Sequence, residues 1–260
     1  MRDLLAAANA ALDESAAAIR PYFRVGLRAD DKADESPVTV ADRKAEQLLR
    51  EALAKATPEF GIIGEEFPPH NTGAKHVWVI DPIDGTRAFI TGRTSFTTLL
   101  GLLEDGVPVL GFIDQPITGE RWCGGRGVGP VFTGGLGGKP GTRQSVKLAG
   151  AEFSATSPEM IESAGPEAVK RFNKLKQAAK RIYWGGDAYS YGLLALGQID
   201  LIAEHDLKPW DWAPLAPVIE AAGGVVTDWS GKPLKLGCGA SVLASANREL
   251  HDEALAILNG

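Results

Sequence analysis

Two carboxylates stand three residues apart in Trp78-Val79-Ile80-Asp81-Pro82-Ile83-Asp84-Gly85-Thr86, with a proline between them. The apolar run Val77 to Ile80 predicts a short buried strand ending at the first of them. Pro82 fixes its own φ and keeps Asp81 out of the helical region, so a stiff turn is expected there. Unpaired carboxylates held that close repel each other, and a divalent cation relieves the repulsion. Gly85-Thr86 leads into Arg87 to Thr91, a segment suited to begin a helix with Thr86 near its N-cap. Free N–H groups at a helix start bind phosphate. Cation ligands beside a phosphate seat suit metal-assisted phosphoryl chemistry. The same residues also make an ordinary turn, because Asp-Pro and Asp-Gly favour turns on their own.

Three more acidic points follow the same logic. Glu65-Glu66 closes the short strand expected at Gly61 to Gly64. Asp42 opens a helix after Thr39, and Asp211 follows a proline at another helix start, Lys208-Pro209-Trp210-Asp211-Trp212. All sit at element ends, where side chains can converge on a cleft. Taken singly, Asp42 and Asp211 read as helix N-caps, Glu66 as solvated, and Trp210 and Trp212 as core.

Apolar residues at helical spacing predict a helix over residues 3–20, stopped near Pro21. A polar loop, Arg28 to Ser36, precedes a second helix that runs to about Ala56. Strands are expected at Thr97 to Leu103, Val109 to Asp114 and Glu120 to Cys123, with Glu104-Asp105-Gly106 as a hairpin turn. The glycines of residues 124–143 do not make a nucleotide-binding loop, because Pro130 and Pro140 oppose the helix such a loop needs. They fit hairpin turns and, around 134–143, a subdomain junction. Further on, helices are expected over 158–180, 187–197 and 212–222, and after the last strand. Strands are expected over 181–184, 199–203, 224–228 and 241–245. Paired strands first and alternating helices and strands later predict a mixed α/β layered fold.

Bulk properties narrow the function. The 260 residues, 44% hydrophobic and 23% charged, suffice for one large domain or two intimately packed subdomains. No apolar run reaches the roughly 18–20 residues of a membrane span. The first residues lack a secretory layout, so a cytoplasmic protein is expected. A net charge of −6 without a basic cluster disfavours nucleic acid as a partner. Cys123 and Cys238 lie far apart and are expected as buried, reduced thiols.

Taken together, Gly64-Glu65-Glu66, Asp81-Pro82-Ile83-Asp84-Gly85-Thr86, and Trp210-Asp211 with Glu220-Ala221-Ala222-Gly223-Gly224 resemble the inositol monophosphatase superfamily. These are magnesium-dependent, lithium-sensitive phosphatases, and the resemblance runs from about residue 4 to about residue 257. It implies a mixed α/β (α+β) αβαβα layered sandwich and a homodimer. It also implies one domain over 1–260, with subdomains 1–140 and 141–260. Residue by residue, it implies that Glu65, Asp81 and the Ile83 carbonyl hold one Mg²⁺, and that Asp81, Asp84 and Asp211 hold a second. Glu65, with waters, would hold a weaker third. Asp42 and Thr86 would orient the attacking water, and the Gly85 and Thr86 N–H groups would hold the phosphate. The chemistry agrees, since oxygen ligands suit Mg²⁺, which screens a phosphate dianion from its nucleophile. No histidine or cysteine lies in the motifs, which argues against zinc and against a covalent Cys or His phosphatase; His70, His76, His205 and His251 read as structural or exposed.

Within the superfamily the chain resembles the histidinol-phosphatase branch. Phe89-Ile90-Thr91-Gly92, Asp114-Gln115-Pro116, Glu120-Arg121-Trp122 and Gly185-Gly186-Asp187-Ala188-Tyr189 carry that likeness. It implies a phosphate monoester substrate, L-histidinol phosphate, with Gly186, Asp187 and Glu204 as substrate-binding residues. An acidic rim favours a cationic alcohol over a neutral polyol, although Glu204, seven residues before Asp211, is shared by both branches and does not discriminate by its presence. Asp187 also reads as a helix N-cap, and Asp114 and Arg121 as an ion pair shaping the pocket. An inositol-1-phosphatase or a broad sugar or nucleotide phosphatase is the alternative. A non-catalytic binding protein is disfavoured, because every carboxylate of the set and Thr86 are present.

Overall fold

The computed structural model describes residues 2–25 and 37–260, so the polar loop at Arg28 to Ser36 lies outside the described residues. Two helices, α1 (Arg2–Ile19) and α2 (Pro37–Ala56), come first. A six-stranded sheet follows: β1 (Gly61–Gly64), β2 (His76–Asp84), β3 (Thr97–Glu104), β4 (Val107–Gln115), β5 (Glu120–Gly125) and β6 (Val128–Thr133). Its strands lie side by side in chain order, and a short helix, α3 (Thr86–Ile90), interrupts the chain after β2. The β1–β2 pair is parallel and the rest antiparallel. Asp105 and Gly106 both take positive φ at the β3–β4 turn, as a tight hairpin requires.

The second half builds a five-stranded sheet in the order β10-β11-β9-β7-β8. Its elements are β7 (Glu152–Ala155), α4 (Pro158–Glu162), α5 (Pro166–Ala178), β8 (Arg181–Trp184), α6 (Asp187–Ala195) and β9 (Leu201–Glu204). After them come α7 (Pro209–Trp212), α8 (Leu215–Ala221), β10 (Val225–Thr227), β11 (Val242–Ser245) and α9 (Arg248–Asn259).

Period-two alternation sorts the side chains into layers. Trp78, Ile80, Leu100, Leu102 and Phe112 face α1 and α2, meeting Leu12, Leu49 and Leu53. Their neighbours Val77, Val79, Leu99 and Ile113 face the other way, onto Tyr191, Leu194, Trp212 and Ile219 of α6 to α8. The second sheet repeats the device. Ile202, Val226 and Ala244 face those same middle helices, while Phe153, Leu201 and Leu243 face Phe172 and Leu250 of α5 and α9. The order is therefore helices, sheet, helices, sheet, helices, the expected αβαβα sandwich.

Several expectations are corrected. The single helix over 158–180 is two, because Gly165 takes φ 89° and Pro166 starts a new helix. The helix over 212–222 begins earlier, as α7, and restarts after Pro214, which has no N–H to continue it. Asp42 does not open α2, since the helix starts at Pro37 and Asp42 is its sixth residue. The N-cap before α3 is Gly85, not Thr86, and the N-cap before α6 is Gly186, with Asp187 one residue inside. Cys123 and Cys238 form no disulfide; Cys123 is buried and Cys238 half-buried.

Candidate active site

The two central carboxylates owe their convergence to a break in one strand. In a regular strand, residues three apart point to opposite faces. Asp81 pairs with Leu99 and Asp84 with Thr97, so two residues of β2, Pro82 and Ile83, oppose only Thr98 of β3. This β-bulge shifts the alternation by one and turns Asp84 back to the side of Asp81. The stiff turn expected after Ile80 is thus a bulged continuation of the strand. Pro82 is at home there because it has no N–H to offer the ladder, and its carbonyl accepts from Thr98 Oγ1 at 2.8 Å.

The other groups arrive from neighbouring ends. Gly64 of β1 lies beside Ile80 of β2 in parallel register, so Glu65 leaves its strand next to Asp81. Fully buried Glu46 of α2 fixes that exit. It accepts from Arg50 Nε at 2.7 Å and from the Glu66 N–H at 2.8 Å, and a Cβ on Gly64 would stand 2.1 Å from its Oε1. Asp211 is carried by α7, pinned by buried Trp212, and its Oδ2 accepts the Lys208 N–H at 2.7 Å. Asp81, Asp84 and Asp211 each bring a carboxylate oxygen within 4.8 Å of the others. Asp84 Oδ2 also accepts the Ala188 N–H at 2.7 Å, which draws the start of α6 to the cluster.

A cleft of about 150 Å³ opens over this cluster, lined also by Glu65, Thr86, Asp187 and Glu204. Asp187 takes φ 42°, and its carboxylate lies over Gly85, where a Cβ would stand 2.9 Å from Oδ2. Gly85 has φ 80°, and among the described residues no backbone acceptor takes the Gly85 or Thr86 N–H. Thr86 Oγ1 donates to the Ile83 carbonyl at 3.2 Å. Asp42 is buried and outside the cleft's lining, near enough to Glu66 and Glu65 to feel their charges. Gly186 also stands outside it and lines a second cavity of about 560 Å³, with Arg93, Tyr183, Trp184 and Tyr189. Asp114 and Arg121 do pair across β4 and β5, at 2.6 Å, but far from shaping the pocket they anchor α1, because Arg121 also donates to Asn9 and Asp13.

The electrostatics are those of an anion cluster that burial dominates, with Arg87 and Arg93 near Asp187 and Lys208 near Asp211 offsetting it only in part. Burial, then the charges of Asp84 and Glu65, holds Asp81 well above the usual carboxylate range. Burial, then Asp187 and Asp211, does the same for Asp84. Burial raises Asp211 to about 6 and Asp187 to about 6. Glu65 is raised to about 7 and Asp42 to about 8, by burial first and neighbouring carboxylates second. Among the described residues, no ion pair relieves Asp81, Asp84 or Asp211, and the buried oxygens Asp81 Oδ1 and Asp42 Oδ1 lack any partner. An all-oxygen, unneutralised set with orphaned acceptors fits a hard divalent cation.

A family model described as the inositol monophosphatase family matches residues 1–259. The chain belongs to the inositol monophosphatase family. It is a phosphatase of that superfamily, whose members are generally metal-dependent. An inositol monophosphatase from Zymomonas mobilis superposes with a TM-score of 0.91 at 44% identity, over 100% of this chain and 98% of that one. The chain is similar to a chloroplastic bifunctional phosphatase, IMPL2, of Arabidopsis thaliana, 41% identical over 96% of this chain and 73% of that protein. It is also similar to a histidinol-phosphatase of Mycobacterium tuberculosis, 38% identical over 92% of this chain and 90% of that one. No described helix of this family phosphatase is long and apolar enough to cross a membrane.

Sequence reasoning missed Glu46, Thr156 and Tyr191. Glu46 carries a signal, since Asp42, Glu46 and Arg50 recur at helical i,i+4 spacing. Thr156 and Tyr191 carry none, because they meet Glu204 only through tertiary packing.

Proposed function

We propose that the protein hydrolyses L-histidinol phosphate to L-histidinol and inorganic phosphate with the help of Mg²⁺. The observation that carries this is the cleft itself, in which Asp187 and Glu204 add two carboxylates to the metal-type cluster. Cations bound by the cluster leave these two anions over, and a leaving alcohol bearing an ammonium group complements them. Asp81, with Glu65 and the Ile83 carbonyl, would hold one Mg²⁺, and Asp81, Asp84 and Asp211 a second; Glu65, with waters, would hold a weaker third. Bound there, the ions supply charge screening for the phosphate dianion and a more acidic water. The chain's own contribution is positional. The free Gly85 and Thr86 N–H groups receive phosphate oxygens, and Thr86 Oγ and Asp42 orient the attacking water. Asp187 and Glu204 select the alcohol. The likeness to the mycobacterial histidinol-phosphatase supports the reading.

The likeness to the Zymomonas inositol monophosphatase favours an inositol 1-phosphate substrate as the second reading. Phosphate release from L-histidinol phosphate, inositol 1-phosphate and a nucleotide 3′-phosphate, each with Mg²⁺ and with EDTA, separates the two. Strong preference for histidinol phosphate, lost in EDTA, is expected; preference for inositol 1-phosphate would discard the cation-pocket argument. A cytoplasmic homodimer completes the proposal. The exposed Tyr183 and Trp184 on edge strand β8 give it an apolar face, and sedimentation tests it.

A further inference from the structure

Glu204 ends β9 almost fully buried, yet no basic side chain pairs with it among the described residues. Neutral donors hold both its oxygens. Thr156, one residue past the end of β7, gives Oε1 its N–H at 2.8 Å and its hydroxyl as well. Tyr191 gives its hydroxyl to Oε2 at 2.9 Å. The Tyr191 ring is fully buried in the core between the sheets and, like Thr156, borders the cleft. Tyr191 stands one helical turn after Asp187 on α6, so a single helix face carries one acidic rim residue and the clamp on the other.

We propose that Thr156 and Tyr191 are positioning residues that keep Glu204 an oriented anion, and that this clamp sets the preference for a cationic over a neutral alcohol. The proposal rests on the reading of Glu204 as a substrate-binding group. A lysine or arginine in place of these donors would neutralise the carboxylate and remove its attraction for a cation. Hydroxyl and amide dipoles fix the charge without cancelling it, and leave lone pairs free for the incoming donor. Burial first, with the Asp187 charge adding to it, pushes Glu204 up to about 7 even though the Thr156 and Tyr191 hydrogen bonds oppose that rise. Losing a donor therefore costs charge as well as aim.

The test compares kcat/KM for L-histidinol phosphate and for inositol 1-phosphate across pH 6–9 at saturating Mg²⁺, in wild type and in Tyr191→Phe, Thr156→Val, Thr156→Ser and Glu204→Gln. Tyr191→Phe and Thr156→Val are expected to lower the ratio of the two kcat/KM values about tenfold, mainly through KM, as loss of one hydrogen bond to a charged group does. They should also move the histidinol phosphate profile to higher pH than the wild-type profile on the same substrate. Thr156→Ser, which keeps the hydroxyl, should retain the ratio. Equal losses on both esters with unmoved profiles would make the clamp merely structural and overturn the proposal. The Thr156 pair decides the matter if Tyr191→Phe folds poorly. A ratio that collapses in Glu204→Gln but survives in the donor variants overturns the clamp alone. A wild type without preference for the cationic ester, or a ratio unmoved by Glu204→Gln, overturns the substrate reading and the clamp with it.

Discussion

Asp211→Asn should make the metal-free protein more stable and the enzyme inactive. Asp211 is held at about 6 against an ordinary 3.8, chiefly by burial. The folded state therefore disfavours its charged form by about two pKa units. At about 1.4 kcal/mol per unit, the ceiling on the cost is about 3 kcal/mol at pH 7. The sign follows from a raised acid pKa. The folded state binds the proton more readily, so the penalty is full above pH 6 and vanishes below about 4. Asparagine removes the charge but keeps an oxygen that can accept the Lys208 N–H. Relief of Asp81 and Asp84, which feel the Asp211 charge, adds to the gain. For a chain of this size, each kcal/mol moves the melting temperature by roughly 2–4 °C, so a rise of about 5–10 °C in EDTA at pH 7 is expected. The gap between variant and wild type should close as the pH falls through 6 toward 4. The wild type should recover stability on addition of Mg²⁺, and the variant should recover much less. Thermal melts in EDTA and in Mg²⁺, at several pH values, read all of this. A variant that melts no higher in EDTA, or that gains as much from Mg²⁺ as the wild type, would refute the account of an unneutralised cluster built for a cation.

Gly85→Ala should cost about 1–2 kcal/mol from its φ of 80° and push Asp187 aside, lowering both melting temperature and kcat/KM for histidinol phosphate. Gly127→Ala, with φ 74° but open space around it, should lose similar stability in melts and keep its kinetics. His251 is fully buried between Thr227 and Ser245 and is held down to about 4, mainly by burial. Its unfolded form takes up a proton from pH 6.5 downward, so up to about 3 kcal/mol of stability is lost between pH 6.5 and 4, a slope that urea titrations should find flattened in His251→Gln. Glu46→Ala takes the carboxylate from Arg50, which keeps the Phe67 carbonyl, and the acceptor from the Glu66 N–H, and should cost about 3–5 kcal/mol by urea denaturation; a loss under about 1 kcal/mol would mean that Glu46 does not anchor the Glu65 segment.

The parts of the site that one segment carries were legible in the sequence. Asp81 to Thr86 is a contiguous run, and proline, glycine and paired acids announce it without help from the rest of the chain. The layers were legible for a related reason, because alternating and helical periodicities survive in a linear string. The bulge was not, because alternation is broken only relative to β3, and no residue of β2 records where its partner stands. The breaks at Gly165-Pro166 and Pro214 were written in the residues, but the helical pattern on either side reads straight through them. Glu204 could be picked out by its distance from Asp211, whereas the donors that hold it come from a strand end and a helix that meet it only in the folded chain.

The chain crosses from the first sheet to the second in two stretches of different character. From Gly134 to Lys139 it is exposed, with Leu136 at 68% and, among the described residues, no atom within 4 Å of where a Cβ would stand on Gly135 or Gly137. From Gly141 onward it is stitched down: the Gly141 and Thr142 N–H groups donate to Ala195 and Ala222, and Arg143 pairs with buried Asp200. A peptide bond cut between Gly134 and Lys139 would therefore break almost nothing but itself. The two pieces would still share one core, since Val79 and Leu99 pack with Tyr191 and Trp212. Asp81 and Asp84 would lie on one piece and Asp211 on the other. Expressed as separate polypeptides, each half would be inert, and phosphatase activity would report their reunion.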